Sequence, residues 1–136
     1  MDLVANLSIG MSAEMKLVVT REMTIGHFVS GMPYVYSTPI MVLHMEMAAG
    51  SAIADVLPPG FVSVGMEINV RHLAATPVGS KVRAIARIAG ISAKSVIFDI
   101  ETWNEVRKIG EGTHRRGIVN VMDFQKRYQV RESALN

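Results

Sequence analysis

A long apolar run between residues 40 and 57 constrains the fold of this chain more than any other feature of its sequence. Ser37-Thr38-Pro39, just before the run, is a helix start signal, with Thr38 expected at the N-cap and Pro39 at the first helical position. Pro58-Pro59-Gly60, just after it, ends the helix. The only polar residues within the run are His44, Glu46, Ser51 and Asp55. The pattern predicts one long helix that is apolar on nearly every side.

A helix of this kind is either buried in a soluble protein or spans a membrane. A membrane span takes about 20 apolar residues, whereas this run is slightly shorter and carries the carboxylate of Glu46 near its middle. No second run of the same kind occurs in the sequence. We therefore predict a buried helix in a soluble protein that has no membrane partner.

The rest of the sequence predicts an antiparallel sheet around the helix. Strand patterns occupy residues 14–20, 62–73, 80–90, 94–104 and 111–122. Residues 21–37 mix glycine, proline and aromatic side chains, which predicts a loop or a short broken helix that could cover a site. The polar tail from Asp123 to residue 136 is expected to be helical or frayed. One sheet covers only part of a helix that is apolar all round, so we expect an α+β fold whose natural partner is a second copy of the chain.

Composition excludes several classes of protein. The 136 residues correspond to one domain, 1–136, and 49% hydrophobic residues provide a core that a disordered chain would lack. A net charge of +2 gives no support for nucleic-acid binding. The absence of cysteine excludes disulfides, thiolate metal sites and a cysteine nucleophile. Asp2 and the lack of a long apolar run near it do not resemble a secretory signal, so we expect a cytoplasmic protein.

Glu46 is the first residue that could carry chemistry. Its neighbours on the same side of the helix are apolar or small: Val42, Leu43, Ala49, Gly50 and Ile53. We therefore expect a buried carboxylate that needs a partner. That partner could belong to a catalytic group, or could simply be an arginine or a backbone group.

Thr38 and His72 are the other two candidates. Thr38 lies where the helix dipole and free N–H groups favour negative charge, although a threonine here is also an ordinary cap. His72 ends a predicted strand and could serve as a general base or as a structural residue. Thr38 and Glu46 are roughly 12 Å apart along a straight helix axis. Either His72 spans between them, or Glu46 works with groups of the other chain. His27, His44 and His114 are secondary candidates, and His44 points about 200° around the helix from Glu46.

Four segments contain motifs that occur together in one family. They are Ile9-Gly10-Met11; Thr38-Pro39-Ile40-Met41-Val42-Leu43-His44-Met45-Glu46; Gly65 with Val70-Arg71-His72-Leu73-Ala74-Ala75-Thr76-Pro77-Val78-Gly79; and Gly110-Glu111-Gly112-Thr113-His114-Arg115-Arg116. Through them the chain, over about residues 9–125, resembles the fluoroacetyl-CoA thioesterases and their hot-dog-fold relatives. The second and third segments, similar to Thr-x-x-Met-x-x-x-Met-Glu and Val-x-His-x-Ala-Ala-Thr-Pro-x-Gly, are specific when taken together.

The resemblance implies a hot-dog fold and a homodimer or higher homo-oligomer, with pockets at the chain interface. It implies hydrolysis of a small or medium acyl-CoA to the free acid and CoA, with no metal and no cofactor beyond the CoA of the substrate. The catalytic residues of the family fall on Thr38, as nucleophile or orienter of water, and on His72, as general base and then acid. Glu46 would orient His72 or activate water. Gly65 falls on a strand glycine near the acyl group.

The stretch from Phe28 to Tyr36 departs from the family. The fluoroacetate-specific member covers its site with a phenylalanine-rich lid, whereas this stretch is shorter and differently composed. We therefore do not expect fluoroacetyl specificity, although Phe28 and Tyr36 are candidate substrate contacts. Arg116, with Arg71 and Arg115, could bind CoA phosphates or form a solvated rim.

Two other functions stay open at this point. A non-catalytic acyl-CoA or lipid-binding hot-dog protein would keep the fold and the pocket without the chemistry. A hot-dog hydratase or dehydratase would need an Asp-x-x-x-x-His motif, and none occurs near the helix start.

Overall fold

The computed structural model describes residues 1–130, which form five strands, one long helix and two short helices. In chain order these are β1 Ser12–Val18, α1 Ile25–Phe28, α2 Thr38–Ile53, β2 Phe61–His72, β3 Lys81–Ile91, β4 Ser95–Trp103, β5 Lys108–Asn120 and α3 Val121–Arg127. Two 3-10 turns, Arg21–Met23 and Ala54–Val56, lie before α1 and after α2. The order confirms the predicted α+β class.

The five strands form one antiparallel sheet in the order β1-β3-β4-β5-β2. One face of the sheet packs against α2 and the other faces solvent, and the burial of β1, β3 and β4 alternates as this arrangement requires. In β3 the buried residues Val82, Ala84, Ala86 and Ile88 alternate with outward-facing residues, which are the exposed Lys81, Arg83 and Arg87 and the half-buried Ile85. The core lies between these side chains and the buried face of α2, which consists of Met41, His44, Met45, Ala48, Ala49 and Ile53.

A β-bulge at Met66 decides which side chains of β2 face the helix. Gly65 pairs with Arg116 and Glu67 with Arg115, so Met66 is an extra residue in β2. Residues seven positions apart point to opposite faces of a regular strand. The extra residue reverses that relation, as a bulge does. Gly65 and His72 therefore both face α2.

The pairing of β2 with β5 also depends on a glycine. A Cβ at Gly112 would clash with the carbonyl oxygen of Asn69 and lie 3.0 Å from the Cα of Val70. Both contacts are with backbone, so the neighbouring strand could not yield by moving a side chain. Gly112 thus allows the close approach of these two strands.

Helix α2 begins at Thr38, one residue earlier than the sequence pattern predicts. Ser37 has the extended backbone of an N-cap, so the placement of Thr38 at the N-cap was wrong. The N–H of Met41 donates to the carbonyl oxygen of Ser37, so the first backbone bond of the helix closes on Ser37, while the hydroxyl of Thr38 bonds to His72 of β2. At the other end, the α-helix stops at Ile53 and a 3-10 turn replaces its expected last turn.

Within a single chain, α2 is buried on one side only, which agrees with the expectation that one sheet covers part of the helix, whereas the expected burial of Glu46 is incomplete. The side chain of Glu46 is 35% exposed, and Leu43 and Met47 on the same side of α2 are each 48% exposed. The single sheet covers only the opposite side of the helix, which leaves this face open.

The predicted polar tail from Asp123 begins within α3, and its last residues, 131–136, lie outside the described part of the chain. Within residues 1–130, no helix combines the length and the apolar character that crossing a bilayer requires.

Candidate active site

Thr38 and His72 meet where the first turn of α2 passes the end of β2. The Oγ1 atom of Thr38 lies 2.7 Å from the Nδ1 atom of His72. The other ring nitrogen, Nε2, is buried and has no hydrogen-bond partner within residues 1–130. Burial lowers the pKa of His72, and the backbone of Ala74 opposes only part of that effect. A neutral imidazole is therefore bonded to a hydroxyl at neutral pH.

A cavity of about 550 Å³ opens beside this pair. Its walls are mostly apolar and come from residues 25–36 and the segment after β2: Ile25, Met32, Val35, Leu73, Ala74 and Ala75. Thr38 and His72 supply polar atoms to this lining. The arrangement suits an apolar group whose reactive end lies against a hydroxyl and a base.

Glu46 belongs to a second cluster, formed by α2, β2 and β5. Its Oε1 atom lies 3.8 Å from the Nη1 atom of Arg116 and 3.8 Å from the Nε2 atom of His114. The side chain of Arg116 is only 12% exposed, and it donates hydrogen bonds to the hydroxyl and the carbonyl oxygen of Ser63, at 2.8 and 2.9 Å. The carboxylate therefore faces a cation that two hydrogen bonds to Ser63 hold in place.

Gly65 leaves the space that the carboxylate of Glu46 occupies. A Cβ at this position would clash with the Oε1 atom of Glu46 and lie 3.3 Å from the Cε1 atom of His114. Even the smallest side chain would therefore displace Glu46.

The structure brings together two of the three predicted catalytic residues. Thr38 and His72 are bonded, whereas Glu46 contacts Arg116 and His114 of its own chain. His72 therefore does not span between Thr38 and Glu46, and the charged partner of Glu46 within its own chain is an arginine, which was one of the alternatives that the sequence left open.

The predicted substrate contacts occupy different environments. Tyr36 is 1% exposed and lines the cavity beside Thr38, and its hydroxyl is bonded to the Nδ1 atom of His44. Phe28 is 58% exposed and packs its ring on His27, outside the lining of that cavity. The bond to Tyr36 also agrees with the prediction that His44 points away from Glu46.

The three candidate arginines separate into one buried and two surface residues. Arg116 lies beside Glu46, where burial lowers its pKa and the carboxylate counteracts that effect. Arg71 forms an ion pair with Glu111 on the surface, and Arg115 lies 3.8 Å from a carboxylate oxygen of Glu67. Arg116 is thus the least available of the three for a solvent-facing phosphate.

Sequence reasoning underestimated His114 and overlooked Ser63. His114 is 2% exposed and lies within the Glu46 cluster. Its motif, Gly110 to Arg116, together with strand alternation, would have placed His114 and Arg116 on the same face of β5. Ser63 has no signal of this kind, since its role depends on the register of β2 with β5.

Within residues 1–130, no group of three or more His, Cys, Asp or Glu side chains has an arrangement that could hold a metal ion.

Comparison with known proteins places these features in a family. The model of the family described as fluoroacetyl-CoA-specific thioesterase matches residues 19–122. A fluoroacetyl-CoA thioesterase from Streptantibioticus cattleyicolor is 33% identical over 102 residues, which are 75% of this chain and 73% of the relative.

Solved structures share the fold. A mutant of the fluoroacetyl-CoA-specific thioesterase in complex with fluoroacetate and CoA is similar at a TM-score of 0.81 and 31% identity, over 87% of this chain and 99% of the other. A hot-dog-like protein from Thermanaerovibrio acidaminovorans reaches a TM-score of 0.87 at 22% identity, over 98% of this chain and 99% of the other. The predicted hot-dog fold is confirmed.

Proposed function

Because this chain belongs to the family of fluoroacetyl-CoA-specific thioesterases, we propose that it is a hydrolase that cleaves an acyl-CoA thioester to the free acid and CoA. The observation that carries this function is the 2.7 Å contact between Thr38 Oγ1 and His72 Nδ1, beside an apolar cavity. A hydroxyl bonded to a neutral imidazole is a nucleophile, or a holder of water, with its base in place.

The chemistry follows from the state of the imidazole. With a proton on Nε2, the Nδ1 atom of His72 accepts the hydrogen of the Thr38 hydroxyl. His72 takes up a proton as the Thr38 oxygen, or a water molecule that Thr38 orients, attacks the thioester carbonyl carbon. Free N–H groups of the first turn of α2 stabilise the oxyanion. The C–S bond then breaks, and His72 returns the proton to the departing thiolate of CoA.

The two routes differ in one intermediate. If Thr38 is the nucleophile, an acyl ester forms on its hydroxyl and water hydrolyses that ester in a second step. If Thr38 orients water, no ester forms. Mass spectrometry of enzyme that is quenched during turnover separates the routes, because only the first adds the mass of the acyl group.

A second copy of the chain completes the site in this proposal. Leu43 and Met47 form an exposed apolar face of α2 around Glu46, and β2 is an edge strand whose outer backbone groups have no partner strand within residues 1–130. Exposed apolar faces and open edges of this kind are usually covered in a stable protein. In a homodimer that covers this face, Glu46 acts at the chain interface and supports attack by water.

The acyl group in this proposal is small or medium and apolar. The cavity of about 550 Å³ has mainly aliphatic walls, and the segment from Phe28 to Tyr36 lacks a phenylalanine-rich lid, so fluoroacetyl specificity is not proposed. Gly65, Phe28, Tyr36 and Arg116 stay predictions as substrate contacts. The organisation as one hot-dog domain is also a proposal, supported by the single core, and a cytoplasmic location stays a prediction from the sequence.

Release of free thiol from a panel of short, long and aryl acyl-CoAs tests this function. We expect the wild type to hydrolyse at least one of them, and Thr38→Ala, Glu46→Gln and His72→Ala to lose about 100-fold or more in kcat/KM. Thr20→Ala, an exposed threonine outside the site, is the matched control. Turnover that survives all three changes would contradict the site. Binding of CoA esters without any turnover would support the non-catalytic binder.

A further inference from the structure

His114 is a buried histidine that the proposed chemistry does not use. It lies on β5, is 2% exposed and packs its ring against Phe98 at a centroid distance of 6.4 Å. Two charged side chains face it, Glu46 from α2 and Arg116 from its own strand. Burial is the main cause that lowers the pKa of His114, and the charge of Arg116 lowers that pKa further. The carbonyl of Glu67 and the carboxylate of Glu46 act in the opposite direction without cancelling the effect.

Hydrogen bonding fixes which ring nitrogen of His114 carries the proton. The Nδ1 atom lies 2.8 Å from the carbonyl oxygen of Glu67, which can only accept, so Nδ1 must donate. In the neutral ring, Nε2 is then an acceptor. The Nη1 atom of Arg116 lies 3.1 Å from this nitrogen and donates to it. Glu67 is the residue directly after the bulge, so the bulge places the carbonyl that selects this tautomer.

The guanidinium of Arg116 is thereby held from several sides. Ser63 accepts from its Nε and Nη2 atoms, while His114 accepts from Nη1. The same Nη1 atom lies 3.5 Å from the carbonyl oxygen of Glu46 and 3.8 Å from its Oε1 atom. If His114 were protonated on both nitrogens, its Nε2 atom could not accept a hydrogen bond from Arg116, and its positive charge would repel the guanidinium.

We propose that His114 is a positioning residue, which as the neutral Nδ1–H tautomer fixes Arg116 and through it the carboxylate of Glu46. The inference rests on the proposed thioesterase function, because it assigns His114 an effect on the hydrolytic step. It needs no contact between His114 and the substrate.

Two substitutions separate the two hydrogen bonds of the ring. In His114→Asn, the amide nitrogen can replace Nδ1 and donate to Glu67, but the acceptor for Arg116 is lost. In His114→Gln, the amide oxygen can replace Nε2 and accept from Arg116, whereas the bond to Glu67 is lost. Each variant removes one hydrogen bond from the same buried position. A difference between the two variants therefore reports which hydrogen bond was lost, and not the general effect of replacing His114.

Kinetics of the two variants test the positioning role. We expect His114→Asn to lower kcat about tenfold with KM changed less than about twofold, and His114→Gln to keep kcat within about threefold. Equal losses of kcat in both variants, or an unchanged kcat in His114→Asn, would overturn the proposal. Thermal unfolding of both variants verifies that each is folded at the assay temperature.

Nitrogen-15 NMR of the His114 ring gives a second, activity-independent test on the wild type. We expect the Nδ1–H tautomer at pH 7, and a ring that is protonated at Nε2, or at both nitrogens, would overturn the proposal. If the wild type hydrolyses no acyl-CoA, the proposed function fails and the effect of His114 on hydrolysis fails with it. An active wild type with an unaffected His114→Asn variant would contradict this inference alone.

Discussion

Thr38 and His72 form a bonded pair, and the chemistry that we propose for it requires a neutral imidazole. Burial lowers the pKa of His72 below its usual value of about 6.5, so the ring is unprotonated at pH 7. We predict that kcat/KM is constant near neutral pH and falls only as the solution becomes more acidic than about pH 6.5, because the charged ring cannot accept a proton. A pH profile from 4.5 to 8 measures this.

The control for that profile is the residual activity of His72→Ala, which should lack the same titration. A wild-type profile whose acid limb has its midpoint above about pH 6.5 would contradict the neutral-base assignment.

Tyr36 and His44 form a buried pair close to Thr38 in sequence. We predict that Tyr36→Phe lowers the free energy of unfolding by about 1–2 kcal/mol, because the ring still fills its site while the Nδ1 atom of His44 loses its partner. Urea denaturation measures the change. Tyr34→Phe, at a 46% exposed tyrosine, is the matched control and should be nearly neutral. Equal stabilities for both variants would show that the buried bond contributes nothing.

At the scale of elements, strands β2 and β5 form a unit that depends on Gly112. We predict that Gly112→Ala lowers the free energy of unfolding by about 3 kcal/mol, because its Cβ would meet the backbone of Asn69 and Val70. Gly90→Ala is the control: its Cβ would lie 3.7 Å from Ile97, an ordinary contact. Denaturant titrations of both variants make the comparison. Similar stabilities would indicate that the strands can separate at little cost.

Local patterns predicted most of these elements but not the relations between them. The long apolar run identified α2, alternation identified β3, and strand-like composition between turn signals identified the other four strands, because each of these patterns involves only residues close in sequence. The bulge at Met66 leaves no pattern in the residues around it, because it exists only in the pairing of β2 with β5. Without it, the shared direction of Gly65 and His72 could not be deduced. Similarly, the exposure of Glu46 depends on what covers α2, which is a property of the assembly.

At the scale of the whole molecule, the homodimer that we propose makes activity depend on the open face of α2. We predict that Leu43→Glu dissociates the proposed dimer into monomers and lowers kcat/KM for acyl-CoA by at least about tenfold, because it places a charge in the apolar face beside Glu46. Sedimentation velocity and thiol release measure the two effects. Val106→Glu, at an 87% exposed valine in the turn between β4 and β5, is the control.

A monomeric Leu43→Glu variant with full activity would show that one chain contains the whole site. A dimer that persists with full activity would place the chain interface elsewhere.

The bulge at Met66 also limits which mutations this sequence can accept during evolution. Deletion of the single codon for Met66 would leave every other amino acid of β2 unaltered but would remove the bulge. In a regular strand, either the half that contains Gly65 or the half that contains His72 would then face away from α2. Most substitutions at this 63% exposed position alter only a surface side chain. The number of residues in β2 is therefore more strongly constrained than the identity of residue 66. We expect an alignment of relatives to show substitutions at this position but no deletions.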